Sequence, residues 1–193
     1  MDGANKGRAF TLIELLIVVA IIAILAAIAI PNFLEAQVRA KVSRVRAEMR
    51  MLATALEAYR IDENAYPPYL VPPGTRLQPT SRRLRPLTTP IAYVTSIPPD
   101  IFAIRTRDPN YDAFDYVDEE SPKELFSPPW DYQWTYGYAW IMNSMGPDLI
   151  NQYRSLGYPD MFYDPTNGTV SDGDIIRAGP RGQYFQDLYV PIP

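Results

Sequence analysis

The sequence predicts an α+β chain in which one long N-terminal α-helix packs on a small C-terminal antiparallel β-sheet carrying long Pro-rich loops. Three observations carry that expectation. No Gly occurs between Gly7 and Gly74, and Pro31 is the only proline before Pro67, so the first third of the chain is almost free of helix breakers. The apolar pattern there passes from a continuous run to a stripe at alternating spacings of three and four. Beyond it, prolines and tyrosines crowd in, with 13 of the 14 tyrosines after position 60.

From Phe10 to Ile30 every residue except Thr11 and Glu14 is apolar, about the 20 residues a helix needs to cross a bilayer core of roughly 30 Å. Two other readings exist for such a run: the core helix of a soluble domain, and a cleaved secretory signal, since Lys6 and Arg8 precede it. The run is too long for an ordinary signal, and no small-x-small cleavage site ends it. After Pro31 the stripe Val38, Val42, Val45, Met49, Leu52, Leu56 and Tyr59 predicts that the same helix continues with one apolar face. It shares that segment with Arg39, Lys41, Arg44, Arg46, Arg50 and Glu48. Helix is therefore expected from about Phe10 to about Asp62, roughly 80 Å at 1.5 Å per residue, with Pro31 as a kink or soft point.

Composition narrows the chemistry. The 193 residues include neither His nor Cys, which removes disulfides, thiol nucleophiles, ordinary zinc sites and His-based acid/base catalysis. Net charge is −4, from 18 basic and 22 acidic residues, so nucleic acid is not an expected partner. Catalysis would have to rest on carboxylates such as Asp118, Glu119 and Glu120, a run that reads more simply as a solvated turn.

The N-terminal residues resemble the type IV pilin and type II secretion pseudopilin family. The resemblance lies in a short basic leader, then Phe10-Thr11-Leu12-Ile13-Glu14, a long apolar helix, and Pro31-Asn32-Phe33. It covers about Gly7 to Pro68 and implies a pilin-like fold, with no enzymatic activity. It also implies a leader at 1–9 cut between Ala9 and Phe10 by a prepilin peptidase, and N-methylation of the new terminus at Phe10. Leaders of the family usually end in Gly, where this chain has Ala9. A transmembrane and filament-core helix is then expected at 10–31, and a globular domain, including the amphipathic half of the helix, at 32–193.

A lone carboxylate beside lipid is costly, so Glu14 is expected to be paired or functional. The resemblance implies that it meets the cationic amine at Phe10 of a neighbouring subunit, with Pro31 as a second assembly residue; a protonated Glu at the headgroup boundary is the alternative. The implied life history is a single-pass inner-membrane protein with a periplasmic domain, later a periplasmic or extracellular filament. Implied partners are identical subunits, the peptidase, an inner-membrane assembly platform, minor pseudopilins and, before assembly, membrane lipid. The resemblance is closest to the major pseudopilin of type II secretion and implies a secretion pseudopilus; a true type IV pilus for adhesion, motility or DNA uptake is the alternative, and a membrane-anchored binding domain or carboxylate-based hydrolase the remote one.

The distal chain is read element by element. Pro67-Pro68 and Pro72-Pro73 end the helix and open an irregular stretch to about Pro99, with Arg82, Arg83 and Arg85 as a basic loop cluster. Leu87 to Ala103 is similar to the pseudopilin segment that crosses the long helix before the sheet. Asp131 to Gly146, rich in Trp and Tyr, predicts strands about a turn near Gly137, packed on the Val38–Tyr59 stripe. Tyr163 to Gly179 crowds oxygen-bearing side chains, among them Ser171, around two glycines, which suits Ca²⁺ or an ordinary Asx-rich turn. Major pseudopilins carry Ser-x-Gly-Pro-Asp before an acidic calcium loop, and this chain has Ser144-Met145-Gly146-Pro147-Asp148. The resemblance therefore implies calcium ligands among Asp148, Asp164, Asn167, Thr169, Asp172 and Asp174, with Leu149–Tyr163 as an insertion relative to the family pattern.

Overall fold

The computed structural model describes residues 10–71, 75–118, 138–151, 163–164, 171 and 173–180. The chain divides into two compact units that part between Gln37 and Val38. Helix α1 spans Leu12–Glu63, with Pro31 inside an unbroken helical run, within about two residues of the range the sequence predicts. In the first unit its large aliphatic side chains are exposed, including Leu12, Ile13, Leu16, Ile17, Ile21, Ile24 and Ile28. This is a helix long and apolar enough to cross a membrane.

In the second unit α1 contributes the stripe to a core. Val42, Val45, Met49, Leu52 and Leu56 are buried, while Val38 and Tyr59 pack at its margin. Ala53 and Ala55 join them; small residues broaden the buried face without bulk. The helix ends at Asn64, which takes φ +55°, the left-handed conformation that Asn tolerates after a helix. Arg60 Nη1 donates to Asn64 Oδ1 at 3.1 Å.

The segment to Pro99 holds short elements rather than none. Strands β1 (Leu70–Val71) and β2 (Thr75–Arg76) pair antiparallel, and α2 (Ser81–Leu84) runs into a 3₁₀ turn at Arg85–Leu87. Leu84, Leu87, Val94, Phe102 and Ala103 are buried in the same core as the α1 stripe. The Leu87–Ala103 segment thus lies against the helix, as its resemblance implied.

Strands β3 (Asp115–Asp118), β4 (Trp140–Ser144) and β5 (Ile175–Gly179) form one antiparallel sheet in the order β3-β4-β5. Alternation divides its residues between two clusters: Tyr116, Trp140, Met142 and Ile175 join the α1 core, while Ile141, Ile176 and Ala178 form a second cluster with Tyr138. Of the predicted strands in Asp131–Gly146, the first half and the Gly137 turn lie outside the described residues. The described half is β4, whose two neighbours are β3 and β5.

Candidate functional site

The N-terminal site starts with Thr11, the residue before the first helical turn. Its backbone N–H and its hydroxyl both donate to Glu14 Oε2, at 2.9 and 2.7 Å, and Glu14 N–H donates back to Thr11 Oγ at 3.3 Å. This is a capping box, in which an N-cap Thr and an acid three residues on satisfy donors that the helix end leaves open. The carboxylate also sits where the helix dipole favours negative charge. The Thr-x-x-Glu spacing is the local sequence signal for this cap, which hydropathy and periodicity do not single out. Glu14 therefore has partners within its own chain. Phe10, the residue expected to carry the new terminus, is exposed beside it; Ala9 lies outside the described residues. Pro31 is exposed within α1.

Among the described residues of the second unit, Glu57 and Asp118 are carboxylates with structural partners. Glu57, on α1, accepts from Trp140 Nε1 at 2.7 Å and from Tyr66 OH at 3.1 Å, so one side chain ties the helix to β4 and to the chain leaving it. Asp118 is 1 % exposed and accepts from Tyr69 N–H at 3.0 Å. That corrects the expectation of a solvated acidic turn at that position: the backbone donor needs an acceptor, and the end of β3 supplies it. Glu119 and Glu120 lie outside the described residues.

The basic cluster is corrected as well. Arg83 is fully buried, paired with Asp115, and donates to Leu77 O and Tyr116 O at 2.9 and 3.0 Å. Its guanidinium also lies over the Tyr69 ring. A fork of five fixed donors satisfies several acceptors at once, which makes Arg the base most readily buried. Only Arg82 and Arg85 of the three are exposed.

The distal loop site brings separated segments together. Asp148 Oδ2 accepts from Gly173 N–H and its Oδ1 from Ile150 N–H, each at 3.2 Å. Tyr163 N–H donates to Asp174 O at 3.0 Å, and Asp164 N–H to Ser171 Oγ at 2.8 Å, so the Tyr163–Asp174 loop closes at its base. Gly146 has φ +68°, and a Cβ there would strike the Gly173 carbonyl, which is why the Ser-x-Gly-Pro-Asp turn needs glycine at this place. Asp174 is wholly buried, with Oδ2 accepting from Asn143 Nδ2 at 3.2 Å. Asn167, Thr169 and Asp172 lie outside the described residues. The donors are hard oxygens of the kind calcium takes, and Asp148 is drawn to the loop despite the insertion. Among the described residues no three acidic side chains converge as a cation site, so Asp148, Asp164 and Asp174 would not suffice alone.

Asp100 is a site the sequence did not point to. It is buried, its Oδ1 accepts from Phe102 N–H at 2.9 Å and its Oδ2 from Met145 N–H at 3.4 Å. It thereby links the Leu87–Ala103 segment to the turn that bears Asp148. Burial pushes its carboxyl above the ordinary range, against the lowering effect of the hydrogen bonds from Phe102 and Met145.

Comparison with known proteins reaches the same N-terminal segment. The prokaryotic N-terminal methylation motif matches residues 4–30. The type IV major pilin protein PilA of Myxococcus xanthus is 51% identical over 61 residues, 32% of this chain and 28% of that protein. The type IV wide pilus major component PilA4 of Thermus thermophilus is 54% identical over 62 residues, 32% of this chain and 47% of that one. The type II secretion system core protein G of Pseudomonas aeruginosa is 41% identical over 58 residues, 30% of this chain and 41% of that one. The matched stretch thus spans about a quarter to a half of the length of these relatives. No solved structure matches. The N-terminal third of this chain carries the prokaryotic methylation motif on a long apolar helix, and through it the chain resembles type IV pilins and type II secretion pseudopilins.

Proposed function

We propose that this chain is a structural subunit, not an enzyme, which is held in the inner membrane by the first half of α1. It is then cut between Ala9 and Phe10, methylated at Phe10 and built into a helical filament. The observation that carries this reading is the exposed apolar half of α1, opening on a preformed Thr11–Glu14 box next to Phe10. Such a surface suits lipid before assembly and the apolar helices of neighbours afterwards. The cut supplies a cationic amine, and Glu14 of the adjacent subunit offers it a carboxylate already oriented by Thr11. The C-terminal domain lies in the periplasm before assembly, and the filament is periplasmic or extracellular. Prepilin peptidase, an assembly platform and minor pseudopilins complete the partners. In cells carrying that machinery, Glu14→Ala protein should accumulate in the membrane without filaments; normal filament yield from that variant would defeat the reading.

The Ser144–Asp148 turn drawn onto the Tyr163–Asp174 loop favours a type II secretion pseudopilus, while a surface pilus is the second reading, favoured by the identity to PilA and PilA4. Imaging decides between them: long fibres on the cell surface at native expression would favour the pilus. Calcium belongs to the first reading. Asp148, Asp164 and Asp174 would hold it together with Asn167, Thr169 and Asp172, and the ion would supply a cross-link between the turn and the loop. Binding to the native state alone stabilises by mass action, about 2.7 kcal/mol at a hundredfold excess over Kd. The full chain in detergent should then melt lower in chelator than in millimolar calcium; identical melting, with no metal by elemental analysis, would end the calcium proposal.

A further inference from the structure

Charge in this chain is segregated. The net value is −4, yet from Thr75 to Arg107 every base is an arginine and the one acid is Asp100. Asp100 is buried, as is Arg83 with its partner Asp115. Arg82, Arg85, Arg105 and Arg107 are exposed, and among the described residues none of the four pairs with an acid. The fold draws them together from two segments. Arg82 and Arg85 stand three residues apart on α2 and the 3₁₀ turn that continues it, a spacing that sets side-chain bases about 6 Å apart. Arg105 lies in a second 3₁₀ turn, Ala103–Thr106, and Arg107 follows it with φ +59°. The two segments join where Thr80 N–H donates to Asn110 O at 3.0 Å and Ser81 N–H to Asp112 Oδ1 at 2.9 Å. Arg82 is two residues from Thr80 and Arg107 three from Asn110, at most about 7 and 11 Å of chain. The acids of the junction are engaged by local donors: Asp112 accepts from Ser81 N–H and Oγ, and Asp108 Oδ1 from both nitrogens of Asn110. Ile104, 49 % exposed, stands next to Arg105.

We propose that this arginine surface docks a short acidic segment of another protein, with carboxylates on the guanidinium groups of Arg82, Arg85, Arg105 and Arg107 and an apolar contact at Ile104. A guanidinium presents a planar fork of donors that takes a carboxylate through two parallel hydrogen bonds, which an ammonium cannot do. The limited extent of the patch selects the kind of partner. In the rest of the chain taken together acids outnumber bases, so a nucleic acid long enough to be held at many phosphates would run off the patch into a field of its own sign. Nor is a ring free for a base to stack on: Phe102 is in the core, and Tyr93 OH donates to Asp62. A peptide carrying a few carboxylates ends where the patch ends. Exposed ion pairs bind weakly one by one, and four acting together give an association that is selective and sensitive to salt. The acidic remainder of the chain repels the same segment elsewhere, which directs it to this surface.

The test uses the full chain in nonionic detergent and two fluorescein-labelled peptides of equal length, one of alternating Asp and Glu, the other of Gly and Ser. By fluorescence anisotropy at low salt, the acidic peptide should bind at least about tenfold more tightly than the neutral one and weaken steeply as salt is raised. Arg82→Glu and Arg85→Glu combined with Arg105→Glu and Arg107→Glu should abolish that preference, since like charges would then face each other. Reversal on the long helix, Arg44→Glu with Arg50→Glu, should leave it unchanged. Equal binding of the two peptides, a preference that survives in the four-Glu variant, or its loss in the long-helix variant would overturn the surface. Tighter binding of a short DNA duplex of matched charge would make the surface a nucleic-acid site and overturn the acidic-peptide partner. Should the four-Glu variant fail to fold, Arg105→Ala with Arg107→Ala, both on an exposed turn, decides by whether the acidic peptide binds more weakly. Because binding is read on the unassembled chain, its failure leaves the filament reading standing.

Discussion

Arg83 shows what a single residue decides in this molecule. In the sequence it sits between Arg82 and Leu84 in a Pro-rich stretch, where three bases suggest a solvated loop. In the fold it is the buried polar centre on which Asp115, Leu77 O and Tyr116 O converge. Arg83→Met keeps the stem but leaves the Asp115 carboxylate, only 7 % exposed, without its cation. The variant should lose about 3–5 kcal/mol in chemical denaturation, the usual cost of orphaning a buried charge. Loss below 1 kcal/mol would mean that Asp115 relaxes to water. Glu57 works the same way with smaller stakes, accepting from Trp140 and Tyr66. The partners Asp115, Tyr116 and Trp140 are distant in sequence, and no local pattern links residue 83 to 115 or 57 to 140. Thr11 and Glu14 are the contrast: three residues apart, their bond belongs to a spacing rule and was open to reading.

At the scale of elements, α1 was the most legible part and β5 the least. Helix length and the buried stripe follow from periodicity and the lack of breakers, both local properties, and Leu12–Glu63 matches the expectation at either end. The basic stretch on its exposed surface was equally plain. Strand β5 was hidden because Asp, Gly and Ser crowd the residues before it, so Tyr163–Gly179 reads as one loop. Strand β3, Asp-Tyr-Val-Asp, has acids at both ends, and each is buried by a partner that local propensity does not see. Sheet register adds its own demand. Gly179 pairs with Trp140, whose indole occupies the space a Cβ would need. Gly179→Ala should therefore destabilise by about 1–3 kcal/mol through overpacking, measured by equilibrium unfolding. A neutral effect would show that the ring can swing aside, which should also lengthen its bond to Glu57.

For the molecule as a whole, Asp100 couples distant parts and gives the fold a pH signature. Because burial raises its carboxyl in the native state, the folded chain holds that proton more tightly than the unfolded one. Its contribution is present below the ordinary carboxylate range, near 3.8, and is lost as pH rises through the raised native value. Asp100→Asn removes this titration, so the melting temperature of the unaltered chain should fall relative to the variant as pH climbs from that range. Parallel profiles would show that the hydrogen bonds from Phe102 and Met145 offset the burial. The sequence by itself determined the long helix, its apolar entrance, its amphipathic continuation, the methylation motif and the exclusion of His and Cys chemistry. Those are properties of residue type and of neighbours within a few turns. Tertiary structure alone decided that Arg83 and Asp118 are buried, that Glu57 clamps helix to sheet and that Asp148 is drawn to Gly173. Each depends on which distant donor meets which acceptor once water is excluded, and a buried polar group must find a partner that only the closed fold supplies.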